Sequence, residues 1–122
     1  MATYTEATRP SEVILSEAPG TLSRETVTIV SGEGVVPVGM VLGVVTASGK
    51  YAQYDDGNGD GSETAVAIAL ESVDATSADA ECAVMIRLGE YKTDLLAWDA
   101  AVDATAKTAA YTALAGAYLI GR

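Results

Sequence analysis

The sequence predicts a mainly β domain closed by one short C-terminal helix, an α+β class built of short strands. Three observations predict it. Short apolar runs rich in β-branched residues recur from Val13 to Leu88, Gly and Pro punctuate them, and a helical period with Ala-rich composition begins only after Thr93. At 122 residues the chain corresponds to one compact domain, since a domain takes roughly 100 to 200 residues.

The elements follow in order. Residues 1–12, rich in Thr, Glu and Ala and broken by Pro10, show no sustained period and are expected to form a flexible arm. Val13-Ile14-Leu15 is an apolar strand fragment with nothing local to bury against, closed by Ser16, Glu17, Ala18 and a Pro19-Gly20 turn. Residues 26–30 put Val27 and Ile29 on one face and threonines on the other, as a half-buried strand does. Residues 31–34 turn the chain. Pro37 removes a ladder donor, so 35–38 is an edge or a strand start, and 40–46 is the stronger strand behind it. Ala47-Ser48-Gly49 turns into a strand at 50–54, the Gly-rich stretch 55–62 reads as a solvated hairpin loop whose glycines supply φ > 0, and 64–70 and 81–88 are further strands. Thr93 or Asp94 is placed to cap a helical turn holding Leu95, Leu96 and Trp98. Asp103 is placed to cap a helix over 104–115, with Gly116 suited to a left-handed C-terminal cap. Within that helix Lys107, Tyr111 and Leu114 share one side, and Tyr118-Leu119-Ile120 is a last short strand.

Charge narrows the function. Seventeen acids oppose seven bases for a net charge of −10, which argues against nucleic acid, because phosphate binding needs clustered Lys and Arg. Eight of the acids (Asp55, Asp56, Asp60, Glu63, Glu71, Asp74, Asp79, Glu81) fall between residues 51 and 86 with no base among them, an acidic flank that repels DNA and anionic membranes. The longest uncharged apolar window, 35–46, is broken by Pro37, Gly39 and Gly43, so no membrane span is expected. No signal peptide is read in the acid-bearing N-terminus, and synthesis in the cytoplasm is the expectation. The lone Cys82, with no base nearby in sequence, reads as a small buried apolar residue.

Chemistry-bearing motifs are weak. Asp56-Gly57-Asn58-Gly59-Asp60-Gly61 matches the first half of a calcium loop, but its twelfth position is Ala67 rather than Glu and strands flank it. Asp56, Asn58 and Asp60 remain weak metal candidates, with Glu63 a further carboxylate, and a small calcium-binding or adhesion module over 55–63 is the alternative function. Residues 43–50 (GVVTASGK) mis-space a phosphate loop and put Tyr51 where Ser or Thr belongs. The absence of His removes the usual base near neutral pH, and no nucleophile elbow occurs. A hydrolase using an Asp/Glu pair has no residue pointing to it, so no enzyme activity and no cofactor are expected. Trp98 reads as a core anchor or an interface anchor.

The stretch SEVILSEAPGTLSRE at 11–25, followed by Gly39-Met40-Val41-Leu42-Gly43, resembles the head decoration proteins of lambda-type tailed bacteriophages. The likeness continues through Ala65-Val66-Ala67-Ile68-Ala69-Leu70, Leu95-Leu96-Ala97-Trp98 and residues 110–120, nearly the whole chain. The resemblance implies a non-enzymatic structural protein of β-clip-like fold. It would bind as a homotrimer at local three-fold positions on the outside of the expanded head, partnered by the major capsid protein, and stabilise the shell against the pressure of packaged DNA. It further implies an N-terminal capsid-binding arm over 1–20 on a single body, 21–122. Val13, Ile14, Leu15 and Ser16 would add a strand to the capsid, and Pro19 and Gly20 would fix where the arm leaves the body. Trp98, Tyr111 and Leu114 are expected in the core or at the trimer seam. The loop 55–62 lies outside the matched pattern.

Overall fold

The computed structural model describes residues 10–122. One helical turn, α1 (Pro10–Val13), runs directly into β1 (Ile14–Glu17). Then come β2 (Arg24–Ile29), β3 (Gly34–Val36), β4 (Val41–Val44), β5 (Tyr51–Gln53), β6 (Ala67–Ala69), β7 (Val73–Ala75), β8 (Ala80–Met85) and β9 (Gly89–Tyr91). A 3-10 turn at Thr93–Leu95, the helix α2 (Ala104–Ala115) and β10 (Leu119–Gly121) complete the chain.

Five short strands close a small barrel in the order β2-β5-β4-β6-β8. The longest ladder is β2 on β8, antiparallel from Arg24 opposite Met85 to Ile29 opposite Ala80. Closure is completed by a single parallel pair, Ile29 with Tyr51. A three-stranded sheet, β1-β9-β10, lies outside the barrel with β9 in the middle, and β3 pairs with β7 in a two-stranded ribbon.

The pleat explains why β4, β6 and the part of β8 after Glu81 read as continuous apolar runs. Successive side chains point to opposite faces of a strand, and here both faces are buried. Leu42, Ala67, Ala69, Cys82 and Val84 belong to one core cluster with Ile29, Val36 and Met40. Val41, Ile68 and Met85 belong to the other, with Val13, Tyr91, Ala106, Ala110, Leu114 and Leu119. Alanines and Cys82 suit the first cluster because a five-stranded barrel leaves little room inside. The second cluster is where α2 and the outer sheet dock, and each fully buried Leu or Ile there contributes about 1.5 to 3 kcal/mol.

The structure corrects several expectations. The irregular arm was expected through residue 12, yet residues 10–13 form α1; residues 1–9 lie outside the described residues. Val13-Ile14-Leu15 is partly covered, by elements distant in sequence. Val13 is fully enclosed, and Ile14 pairs with Tyr91 because β1 joins β9. The loop 55–62 is no hairpin, since β5 and β6 both pair with β4 and the loop must cross it. Its close passage is why position 43 is glycine: a Cβ there would stand 2.6 Å from the Ser62 backbone. Of that loop's glycines Gly61 alone has positive φ, at 110°.

Asp103 caps α2 as expected, its carboxylate accepting from the Ala106 N–H at 2.8 Å. Gly116, however, is right-handed (φ −63°, ψ −24°), because the helix tightens through Gly116, Ala117 and Tyr118 N–H bonds to Ala113, Leu114 and Ala115 carbonyls. The left-handed residue is Tyr118, at φ 61°. Neither Thr93 nor Asp94 caps the 3-10 turn. Its N-cap is Lys92, Thr93 donates its hydroxyl to the Arg122 carbonyl, and Trp98 lies beyond it. The strands β7 and β9 were not anticipated.

Candidate functional site

The N-terminal candidates divide between body and surface. Val13 is spent on the core, and its carbonyl accepts from the Lys92 N–H at 2.8 Å. Ile14 is half-buried opposite Tyr91. The β1–β9 register then shifts, with Ser16 opposite Glu90, so Leu15 stands at a bulge. Leu15 remains 45 % exposed. Ser16 is exposed, its hydroxyl donating to Glu90 at 2.7 Å. Pro19 and Gly20 form an exposed turn, with Gly20 at φ 71°. Because β9 is the central strand, β1 is an edge strand of its sheet.

Two carboxylates pin this segment. Glu17 accepts from Arg24 through both Nε and Nη2, the shorter contact being 2.6 Å, and from the buried Ser23 hydroxyl at 2.6 Å. The Arg24 hydrogen bond, aided by Ser23, holds the Glu17 carboxyl below its ordinary range against the opposing effect of burial. Glu90 is likewise held low, chiefly by Ser16 and then by Arg122, whose Nε donates to it at 2.6 Å. The Pro-Gly turn is therefore bracketed by a clamp across seven residues. That Glu17–Arg24 spacing was readable in the sequence and was missed.

The three C-terminal candidates converge. Leu114 is fully buried, while Trp98 and Tyr111 pack half-buried against the same cluster. Trp98 meets Tyr111 edge-on at 5.8 Å and Tyr54 at 6.3 Å, and the Lys107 ammonium lies 5.5 Å from the Trp98 ring. Lys107 and Tyr111, four residues apart on one side of α2, both reach the Trp98 ring. The Tyr54 hydroxyl donates to the Ala106 carbonyl at 2.8 Å, tying the barrel to α2. Tyr91 is fully buried, and its hydroxyl has no hydrogen-bond partner among the described residues. Burial, with Tyr111 a lesser cause, pushes it up to about 12.

In the acidic loop the side chains serve the backbone. Asp55 accepts from the Gly57 N–H, Asp60 from the Ser62 N–H and hydroxyl, and Glu63 from the Gly61 N–H. Asn58 donates to the Ser62 hydroxyl. Among the described residues no three Cys, Asp or Glu side chains converge as a metal site, Asp56 and Asp60 included. Cys82 is buried and free, its thiol pushed up to about 11 by burial, so it is held in the unreactive form. A groove of about 330 Å³ between Pro37-Val38 and Leu95–Ala97 carries one charged side chain, Asp94.

Four large apolar side chains that sequence reasoning passed over stand exposed: Leu22, Val35, Leu88 and Tyr118. Leu88 and Tyr118 have positive φ, 55° and 61°. Nothing in the sequence marks a left-handed leucine or tyrosine, so only the structure could reveal them.

A family model described as bacteriophage lambda head decoration protein D matches residues 3–119 of the chain. No curated protein matches it.

Proposed function

The chain belongs to the bacteriophage lambda head decoration protein D family, and on that premise we propose that it cements the expanded phage head from outside. It is a structural protein with no catalytic role. The single observation that carries this reading is the family match over residues 3–119. In this role the chain binds as a trimer at local three-fold positions and contacts the major capsid protein through the segment up to Gly20. It staples neighbouring capsomers against the pressure of packaged DNA.

The physical features of the segment support the reading. β1 is an edge strand with one ladder used by β9, so its outer edge offers backbone groups to an incoming capsid strand. Leu15 and Ser16 are the exposed members of that strand, and Pro19 and Gly20 present the adjoining turn. Val13 and Ile14 support the edge from within. One such strand contact falls below the roughly 800 Å² per partner of a standard interface, and three on one trimer raise avidity by about 10² to 10⁴. The exposed acids between residues 51 and 86 suit a surface facing solvent rather than DNA.

The test is mechanical. Expanded, empty capsids of the matching phage are heated with and without saturating protein, and shell rupture is followed by light scattering. The reading expects rupture at a higher temperature with the protein present; an unchanged rupture temperature under confirmed saturation defeats the cementing role.

A further inference from the structure

Leu22, Leu88 and Tyr118 are 54 %, 38 % and 69 % exposed, and their backbones are tied to one another. The Leu88 N–H donates to the Ala117 carbonyl at 3.3 Å, and the Gly89 N–H to the Tyr118 carbonyl at 3.0 Å. The Arg87 guanidinium donates to the Leu22 carbonyl at 2.8 Å. Leu88 and Tyr118 are the non-glycine residues with positive φ among the described residues. A left-handed backbone costs a side chain with a Cβ about 1 to 2 kcal/mol that glycine avoids. These two side chains neither suit their backbone nor fill the core, so the fold alone does not account for them. Strained backbone that displays apolar surface is a mark of a contact site.

Charge fits the same view. Arg24–Glu17, Arg87–Glu25 and Arg122–Glu90 pair off on and beside the strands around these residues, so the charges near the apolar residues are paired, as in the rim of a protein interface. The acids Asp79 and Glu81 sit at the opposite end of the β2–β8 ladder.

We propose that Leu22, Leu88 and Tyr118 form an apolar patch that seats the major capsid protein, so that the body of the domain shares the contact with β1. The proposal rests on the decoration reading. The occupant follows from continuity: the Ala18 N–H donates to the Leu88 carbonyl at 3.0 Å, and Leu22 follows the Pro19-Gly20 turn directly. A protein surface laid on the exposed residues of β1 and its turn therefore meets the patch next.

The test uses the full-length chain, a Leu88→Asn/Tyr118→Asn double variant and a Leu22→Ser variant, each co-sedimented with expanded capsids. Asn tolerates the left-handed region, so the double variant keeps the fold while losing the apolar surface, and Leu22→Ser reports independently from an exposed turn. The expected result is capsid affinity weakened about tenfold or more in each, as for truncated interface anchors, with melting temperatures near that of the unaltered chain. Unaltered binding by both variants, with the parent chain bound, overturns the patch and leaves the decoration reading standing. A parent chain that does not bind overturns both. A change in the free variants' oligomer size by sedimentation velocity assigns the patch to a second copy and overturns the capsid assignment.

Discussion

Two buried tyrosines should respond with opposite signs to loss of a hydroxyl. Tyr91 is fully enclosed with an unpartnered hydroxyl, whereas Tyr54, 1 % exposed, donates to the Ala106 carbonyl at 2.8 Å. A buried polar group without a partner costs about 1 to 3 kcal/mol. Tyr91→Phe removes that cost and keeps the ring that packs against Tyr111 at 6.5 Å, so a gain of about 1 kcal/mol is expected, the low end of that range. Tyr54→Phe instead gives up a net hydrogen bond worth about 1 kcal/mol. With an unfolding entropy of about 2.1 cal/mol/K per residue, each kcal/mol moves the melting temperature by about 4 °C in a chain of this length. Calorimetry at one protein concentration should place Tyr91→Phe about 4 °C above and Tyr54→Phe about 4 °C below the parent. The Tyr91 hydroxyl, pushed up to about 12, leaves stability independent of pH below the ordinary tyrosine range and lowers it as pH rises from there toward 12, because the unfolded chain ionises first. Tyr91→Phe should therefore flatten the alkaline loss of stability. A destabilised Tyr91→Phe would show that the hydroxyl is satisfied and refute the reasoning.

Other outcomes follow from the same structure. Asp103→Ala removes the N-cap of α2 and should cost about 1 kcal/mol, read as a melting temperature lowered by about 4 °C; an unchanged melt contradicts the cap. Glu17 and Glu90 are held low by their partners, so their stabilisation is complete above the ordinary glutamate range and is lost as pH falls below it. Carboxyl NMR titration should find the Glu17 midpoint below that of a free glutamate and shifted upward in Arg24→Gln, and no shift would dissolve the clamp. Calcium at about 1 mM should leave the melting temperature where chelator leaves it, since a bound ion would raise it by mass action; a rise would restore the calcium-loop reading.

Much of the fold was legible because it follows local rules. The alternation of Val27 and Ile29 with threonines marked β2, and Asp103 before an Ala-rich run marked α2 to the residue. What escaped was decided by distant partners. β9 is three residues long and contains Gly89 and Glu90; it is a strand because β1 and β10 flank it. The segment Val13-Ile14-Leu15 looked orphaned because its partners, Tyr91 and Lys92, lie more than seventy positions away in sequence. Gly116 followed the usual statistics of helix ends, and the tightening of the last turn moved the left-handed residue to Tyr118. At the candidate site, the exposure of Leu15, Pro19 and Gly20 gives surface to the expected contact segment, while Val13 belongs to the core. The convergence of Trp98, Tyr111 and Leu114 was visible only in part, as helical spacing between two of them.

The most direct test of the account is binding to the capsid in its two states. Purified chain is mixed with matched unexpanded and expanded empty heads, sedimented, and the bound protein counted against the major capsid protein. The account predicts saturable binding to expanded heads at three chains per local three-fold position, with little on unexpanded ones. Equal binding to both states, or none to confirmed expanded heads, would contradict it.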